Sequence, residues 1–376
     1  MKLLIAGDFA PIKKYEYGFN ENLLEKFMVA KNNDFSVLNL EGPLTNSNTP
    51  IYKKGPVLRI DPKWAEGINQ ASFNVVSLAN NHIMDMGEQG LFDTYDNCQK
   101  AGLMTVGAGK NLRDARKPLI LIKNGIKVGI LAFAEHEFSI ADDIKPGANP
   151  MDPIDNFKDI QVLSTQVDKV IVIFHGGNEY FPYPRPGLVK LCRWYIDAGA
   201  DAVVCHHTHT TSGFEIYKEA PIFYGIGNFF FPKKTNEISD WNYGFIVSLE
   251  ISDITSLSFN LIPYYFDQNQ IHILEGSTKE KFLNEIQLKS EILKDNHKLH
   301  QQWQEFCESK HDQYIYNLLS YNRYDRLLFR LKIFKPEFFK KKILTLINYL
   351  LCESHQESIS TLLIDSIDKN KKPPIT

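Results

Sequence analysis

The chain has 376 residues, 43% of them hydrophobic and 23% charged, with a formal net charge of -3. That length buries one dominant core with an appendage or a second domain, and that composition excludes wholesale disorder and a multispanning membrane protein. The near-neutral balance gives no general attraction for polyanions, so no nucleic-acid partner is expected.

The first apolar run, residues 2–6, ends in Gly7-Asp8 and is too short for a signal peptide or a membrane span. Further runs rich in Val, Ile, Leu and Phe predict strands over 36–40, 74–78, 128–133, 169–174, 202–205, 221–224, 244–251 and 257–266, the last two antiparallel. Helical spacing of apolar positions marks 88–100 and 187–198, which stop at Gly102 and Gly199. This alternation through about residue 270 predicts one α/β domain over 1–270, a layered β-sheet sandwich flanked by helices.

Beyond 275 the strand signals vanish and Lys, Glu, Gln, Leu and Phe dominate, predicting a C-terminal helical appendage over 275–367 with a frayed tail at 368–376. In it Arg323, Arg326, Arg330, Lys332, Lys335, Lys340, Lys341 and Lys342 interleave with Leu327, Leu328, Phe329, Ile333, Phe334, Phe338 and Phe339. Such a basic amphipathic stretch can make a peripheral contact with an anionic membrane. The commoner outcome, and the expectation here, is that its apolar face packs on the main domain while its charges are solvated. Five cysteines without CxxC spacing fit reduced thiols and a cytoplasmic protein, at most peripheral to the inner face of the membrane.

Metal-capable residues fall at the ends of predicted strands: Asp8 after the first, Glu41 after the second, Asn81-His82 after the third, His175 after 169–174 and His207-Thr208-His209 after 202–205. Carboxyl ends of strands in an open α/β sheet line the ligand crevice, so these residues can converge. Imidazole, carboxylate and amide oxygen together suit Mn, Fe or Zn. A carboxylate such as Glu41 can bridge two divalent metal ions roughly 3.5–4 Å apart, the spacing that clamps both oxygens of an in-line phosphoryl displacement. His206 is expected to pack or to brace a ligand, and Asp85 and Gly87 to build the turn after His82. Glu179 and Arg185, in a proline-rich loop, and Asn228 are the candidate substrate-binding residues; a planar guanidinium suits a phosphate or carboxylate.

The runs Gly7-Asp8, Asn39-Leu40-Glu41-Gly42-Pro43, Ala79-Asn80-Asn81-His82-Ile83-Met84-Asp85-Met86-Gly87, His175-Gly176-Gly177-Asn178-Glu179-Tyr180, the stretch from Gly199 to His209, and Tyr224-Gly225-Ile226-Gly227-Asn228-Phe229 resemble the successive motifs of CapA-like proteins of capsule and poly-gamma-glutamate synthesis, a branch of the calcineurin-like metallophosphoesterases. The resemblance implies Asp8, Glu41 and His209 on one metal, Glu41, Asn81, His175 and His207 on the other, and His82 as the general acid beside them. It also implies a metal-dependent phosphoesterase-type hydrolase linked to a cell-surface polymer. Its partners would be an anionic small-molecule or polymer intermediate and the capsule-synthesis machinery. The alternatives are a non-catalytic accessory subunit that binds the polymer or its synthase, and a hydrolase of gamma-glutamyl amide bonds. Asp8-Phe9-Ala10 stands where the wider superfamily has Asp-x-His, His175-Gly176-Gly177 replaces a commoner His-Trp-Gly, and Cys205 replaces a commoner glycine.

Overall fold

The run Leu3-Leu4-Ile5-Ala6 is wholly buried, as a strand covered on both faces must be, and it forms the middle of the larger sheet. The computed structural model describes residues 1–12, 33–233, 237–253, 256–268, 270–320 and 322–351, with 355, 356, 359 and 363; the tail at 368–376 lies outside the described residues. The described strands are β1 (Lys2–Phe9), β2 (Phe35–Leu40), β3 (Val75–Ser77), β4 (Met104–Val106), β5 (Ala108–Gly109), β6 (Leu119–Lys123), β7 (Ile126–Ala134) and β8 (Gly147–Ala148). There follow β9 (Lys169–His175), β10 (Ala202–His206), β11 (Phe214–Tyr217), β12 (Ala220–Phe223), β13 (Asn228–Phe230), β14 (Tyr243–Ile251), β15 (Leu257–Phe266) and β16 (Ile271–Ile273).

One sheet runs β16-β15-β14-β1-β2-β3-β4 with β13 beside β1, and a six-stranded sheet runs β11-β12-β10-β9-β7-β6. The period of two along β9 builds the sandwich: Ile171 and Ile173 join the core shared with the larger sheet, while Val170, Val172 and Phe174 face the helices Pro153–Ser164 and Pro186–Asp197. Helices Trp64–Gln70 and Gly87–Lys100 cover the larger sheet through Trp64, Ile68 and Leu91. The second of these ends in a left-handed Gly102 whose N–H, with that of Leu103, caps the Gln99 and Cys98 carbonyls. The predicted α/β sandwich is therefore the observed one, including the antiparallel β14–β15 pair.

Several strands fall outside the sequence expectation. β6 and β7 form a hairpin turning on Asn124-Gly125, both at positive φ, the dipeptide that favours a two-residue hairpin turn. β11 and β12 turn on Lys218-Glu219, which also carry positive φ without glycine or asparagine to announce it. β1 continues through Asp8 to Phe9 instead of stopping at residue 6, with register shifts on both sides of Asp8. A bulge at a strand end re-aims a side chain, here Asp8.

The chain forms two compact units, Met1–Trp303 and Gln304–Thr376. Helix Gly276–Leu293, expected at the start of an appendage, belongs to the first unit, because Phe282 and Ile286 enter the main core and Ser290 Oγ accepts the Phe214 N–H at 2.9 Å. The second unit contains helices His311–Leu319, Arg323–Arg330 and Lys340–Leu351 around a knot of Tyr316, Phe329, Phe334 and Phe339 rings. No helix among the described residues is long and apolar enough to cross a membrane. The described cysteines, Cys98, Cys192, Cys205 and Cys307, carry free thiols.

A β-carbon on Gly7 would stand 2.0 Å from the Gly227 carbonyl oxygen, backbone against backbone where β1 meets β13. Gly7→Ala should therefore cost roughly 3 kcal/mol or more, above the usual overpacking penalty because no side chain can yield. Denaturant unfolding measures this; a loss below about 1 kcal/mol would mean the two strands part easily.

Candidate metal centre

β1, β2, β3, β9 and β10 deliver their carboxyl ends to one place. Asp8, Glu41, Asn81, His175, His207 and His209 are all buried there, Glu41 completely. Asp8 Oδ1 accepts Asn39 Nδ2–H at 2.6 Å and faces His206 Nδ1 at 3.2 Å; Oδ2 accepts the His207 backbone N–H at 3.1 Å and faces His209 Nδ1 at 3.5 Å. Burial alone would raise the Asp8 pKa, but the His206 ring 3.2 Å away, with His175 and His209, outweighs it and holds the carboxyl well below its usual range.

Glu41 is the opposite case. Neither of its carboxylate oxygens has a hydrogen-bond partner among the described residues. His175 Nε2 and His209 Nε2 each stand 3.8 Å from Oε1, and His82 Nε2 stands 3.9 Å away. Burial first, then the negative charges of Asp8, Glu179, Asp85 and Glu137, push its pKa well above the usual value. An unsatisfied carboxylate this deep is costly unless a cation meets it. Metal bonds of roughly 2 Å place neighbouring donor atoms about 3–4 Å apart, which is the spacing here.

Two sets of donor atoms, each within 4.8 Å of one another, could hold a metal ion: Asp8 with Glu41 and His209, and Glu41 with His175 and His207. Asn81 adds its Oδ1 at 3.0 Å from His175 Nε2, where His207 Nδ1 also stands at 3.1 Å. Burial pulls the His209 pKa down to about 4 against the pull of Asp8, and burial with His207 takes His175 well below its ordinary value. Neutral imidazoles are the form that binds metal. His207 and His209 take φ of 84° and 54°, a left-handed backbone that non-glycine residues rarely adopt and that concentrates at functional sites.

A model of the bacterial capsule synthesis protein family PGA_cap matches residues 2–233. This chain belongs to that family. It is 31% identical over 258 residues to the capsule biosynthesis protein CapA of Bacillus anthracis, covering 66% of this chain and 60% of that one. It is 35% identical over 202 residues to the PGA biosynthesis protein CapA of Bacillus subtilis, 53% of each chain. It is 32% identical over 208 residues to a probable polyglutamine synthesis accessory protein of Mycobacterium tuberculosis, 52% of this chain and 55% of that one. The PGA_cap chain thus spans 53–60% of the length of these relatives.

Within the PGA_cap region, His82 lies beside the two donor sets, not in them. Its Nδ1 meets Asp85 Oδ2 at 2.6 Å, and Asp85 is in turn held by Lys53 Nζ at 2.7 Å and the Leu58 N–H at 2.7 Å. Lys53 also reaches the Asn81 carbonyl at 3.3 Å. Asp85 builds the expected turn, its N–H bonding the His82 carbonyl at 3.0 Å, and orients the imidazole as well. Lys53 carried no sequence signal, because it comes from an irregular loop. Asn39 was visible inside its motif but had no assigned part; it donates to Asp8 and lies 3.1 Å from His175 Nδ1.

The three candidate substrate-binding residues separate. Asn228 is fully buried, its Oδ1 2.8 Å from His209 Nδ1 and its Nδ2 donating to the Trp241 carbonyl, so it holds the His209 ring instead of lining open space. Arg185 pairs with Glu135, whose other oxygen accepts the Gly177 N–H at 3.1 Å. Glu179 is exposed and close enough to bear on the Glu41 charge. Trp241, beyond the PGA_cap match, walls the site with its ring 4.5 Å from His209, under Tyr180 and Lys233.

Proposed function

We propose that this chain is a two-metal hydrolase of the phosphoester type, acting in the synthesis of capsule or another cell-surface polymer. One observation carries the reading: two buried donor sets share Glu41, whose oxygens have no hydrogen-bond partner among the described residues. Asp8, Glu41 and His209 would hold one ion and Glu41, Asn81, His175 and His207 the other, a mixed nitrogen and oxygen set that suits Mn, Fe or Zn. A bound pair of divalent ions supplies Lewis-acid polarisation of a phosphoryl group and activation of water at neutral pH.

The chain's own residues do the rest. His82, with Nδ1 fixed by Asp85, turns Nε2 toward the shared centre, where it can give a proton to a leaving oxygen. Asn228 and Asn39 fix the imidazole of His209 and the carboxylate of Asp8 before any ligand arrives. The names of the Bacillus relatives support capsule or PGA biosynthesis as the setting; an anionic intermediate as substrate and the capsule machinery as partner belong to the proposal itself. The description of the M. tuberculosis relative as an accessory protein favours the second reading, a subunit that binds without turnover.

Elemental analysis of gently purified protein, paired with turnover of aryl phosphate mono- and diesters in added manganese, separates the two. About two ions per chain with turnover is the expected result. Little metal and no turnover with manganese restored would favour the accessory subunit.

A further inference from the structure

The second unit exposes a run of large apolar side chains among its cations. Leu327, Leu331, Ile333, Phe338, Leu344, Ile347 and Leu350 are between 45% and 70% accessible. Of the apolar residues that interleave with the cations, Leu327, Ile333 and Phe338 are exposed, whereas Phe329 is buried and Leu328, Phe334 and Phe339 are half-buried. In helix Lys340–Leu351, the exposed Leu344, Ile347 and Leu350 recur at three-residue spacing and so share one face, with exposed Lys340 and Lys341 at its start.

Charge decides what covers this surface. Between Arg323 and Lys342 the chain carries eight Lys or Arg residues against Asp325 and Glu337 alone, a net +6 in a protein whose total is -3. A second copy docked isologously would set these cations against their equivalents. A nucleic acid would satisfy the cations and leave Phe338, Leu344 and Ile347 against phosphate. An anionic bilayer surface takes both, since headgroup phosphates meet Lys and Arg while the exposed apolar side chains enter the acyl boundary. The helix has 12 residues, about 18 Å, against a hydrocarbon core of roughly 30 Å, so it would lie along the surface and not span it.

We infer that residues 323–350 form a peripheral docking surface for an anionic lipid bilayer. The inference stands apart from the metal centre and survives whether or not the protein turns over a substrate.

Flotation of the full chain with vesicles of equal phosphatidylglycerol and phosphatidylcholine, against phosphatidylcholine alone, tests it. Binding to the anionic vesicles only, weakened by salt, is the expected result. Lys340→Glu with Lys341→Glu should lower the affinity at least about tenfold while leaving metal content and helix content unchanged. Leu344→Ser with Ile347→Ser should lower it comparably. No binding by the unaltered chain, equal binding to both vesicle types, or binding untouched by both pairs of changes would overturn the inference. A lipid-free dimer that vesicles do not dissociate would replace it with a second copy of the chain.

Discussion

Glu41→Ala should empty both halves of the metal centre together, taking bound metal from about two ions per chain to near none and abolishing turnover. Glu41 belongs to both donor sets, whereas His175 and His207 serve one and Asp8 and His209 the other. The metal-free protein should not be weakened in proportion. Glu41 has a folded pKa raised above its unfolded value by burial and by the surrounding carboxylates, so its favourable contribution exists only at low pH and is lost as pH rises through the folded pKa. At neutral pH its charge is a burden that the variant removes, partly offset by the small cavity left behind.

Metal loss without a fall in the apo melting temperature is thus the expected pair of results. Unchanged stoichiometry would reject Glu41 as the bridge. The same carboxylate sets a pH dependence, because its proton must leave for a cation to bind. Apparent metal affinity should rise about tenfold per pH unit below the raised pKa, read as the manganese-induced shift in melting temperature.

His82→Ala should lower turnover by about 10²–10⁴ while the metal content holds. The imidazole, with Nε2 3.9 Å from Glu41 Oε1, is near enough to reach a leaving oxygen, and it belongs to neither donor set. Its other nitrogen is fixed at 2.6 Å by Asp85, which Lys53 and Leu58 anchor in a fully buried position. That anchoring fixes the ring's orientation and leaves Nε2 to face the shared centre. Loss of metal in His82→Ala would make it a ligand after all. Unaltered turnover with full metal would remove it from the chemistry.

Asp8, Glu41, Asn81, His175, His207 and His209 were legible because each follows or ends a strongly apolar run, and parallel strands carry their carboxyl ends to one edge. Their neighbours were less so. His206 and His207 are adjacent in sequence, and only the strand end and the left-handed turn at His207 put one ring against Asp8 and the other among the donors. Lys53 and Trp241 arrive from loops with no periodicity to place them. Asn228, readable as a pocket residue, proved to be fully buried against His209.

Local patterning by itself determined the α/β class, the strands with long apolar runs, the glycine-closed helices and the supply of metal-capable side chains at strand ends. These depend on residue type and spacing along a few consecutive residues, which is information a single sequence holds. Only the tertiary structure decided the rest: which strands pair in the two sheets, that helix Gly276–Leu293 joins the first unit, that Glu41 is left without a hydrogen-bond partner among the described residues, and that Leu327, Ile333 and Phe338 of the basic stretch are exposed while Phe329 is buried. Each of these is settled by groups distant in sequence competing for the same space, and burial, pairing and desolvation acquire values only once those groups have met.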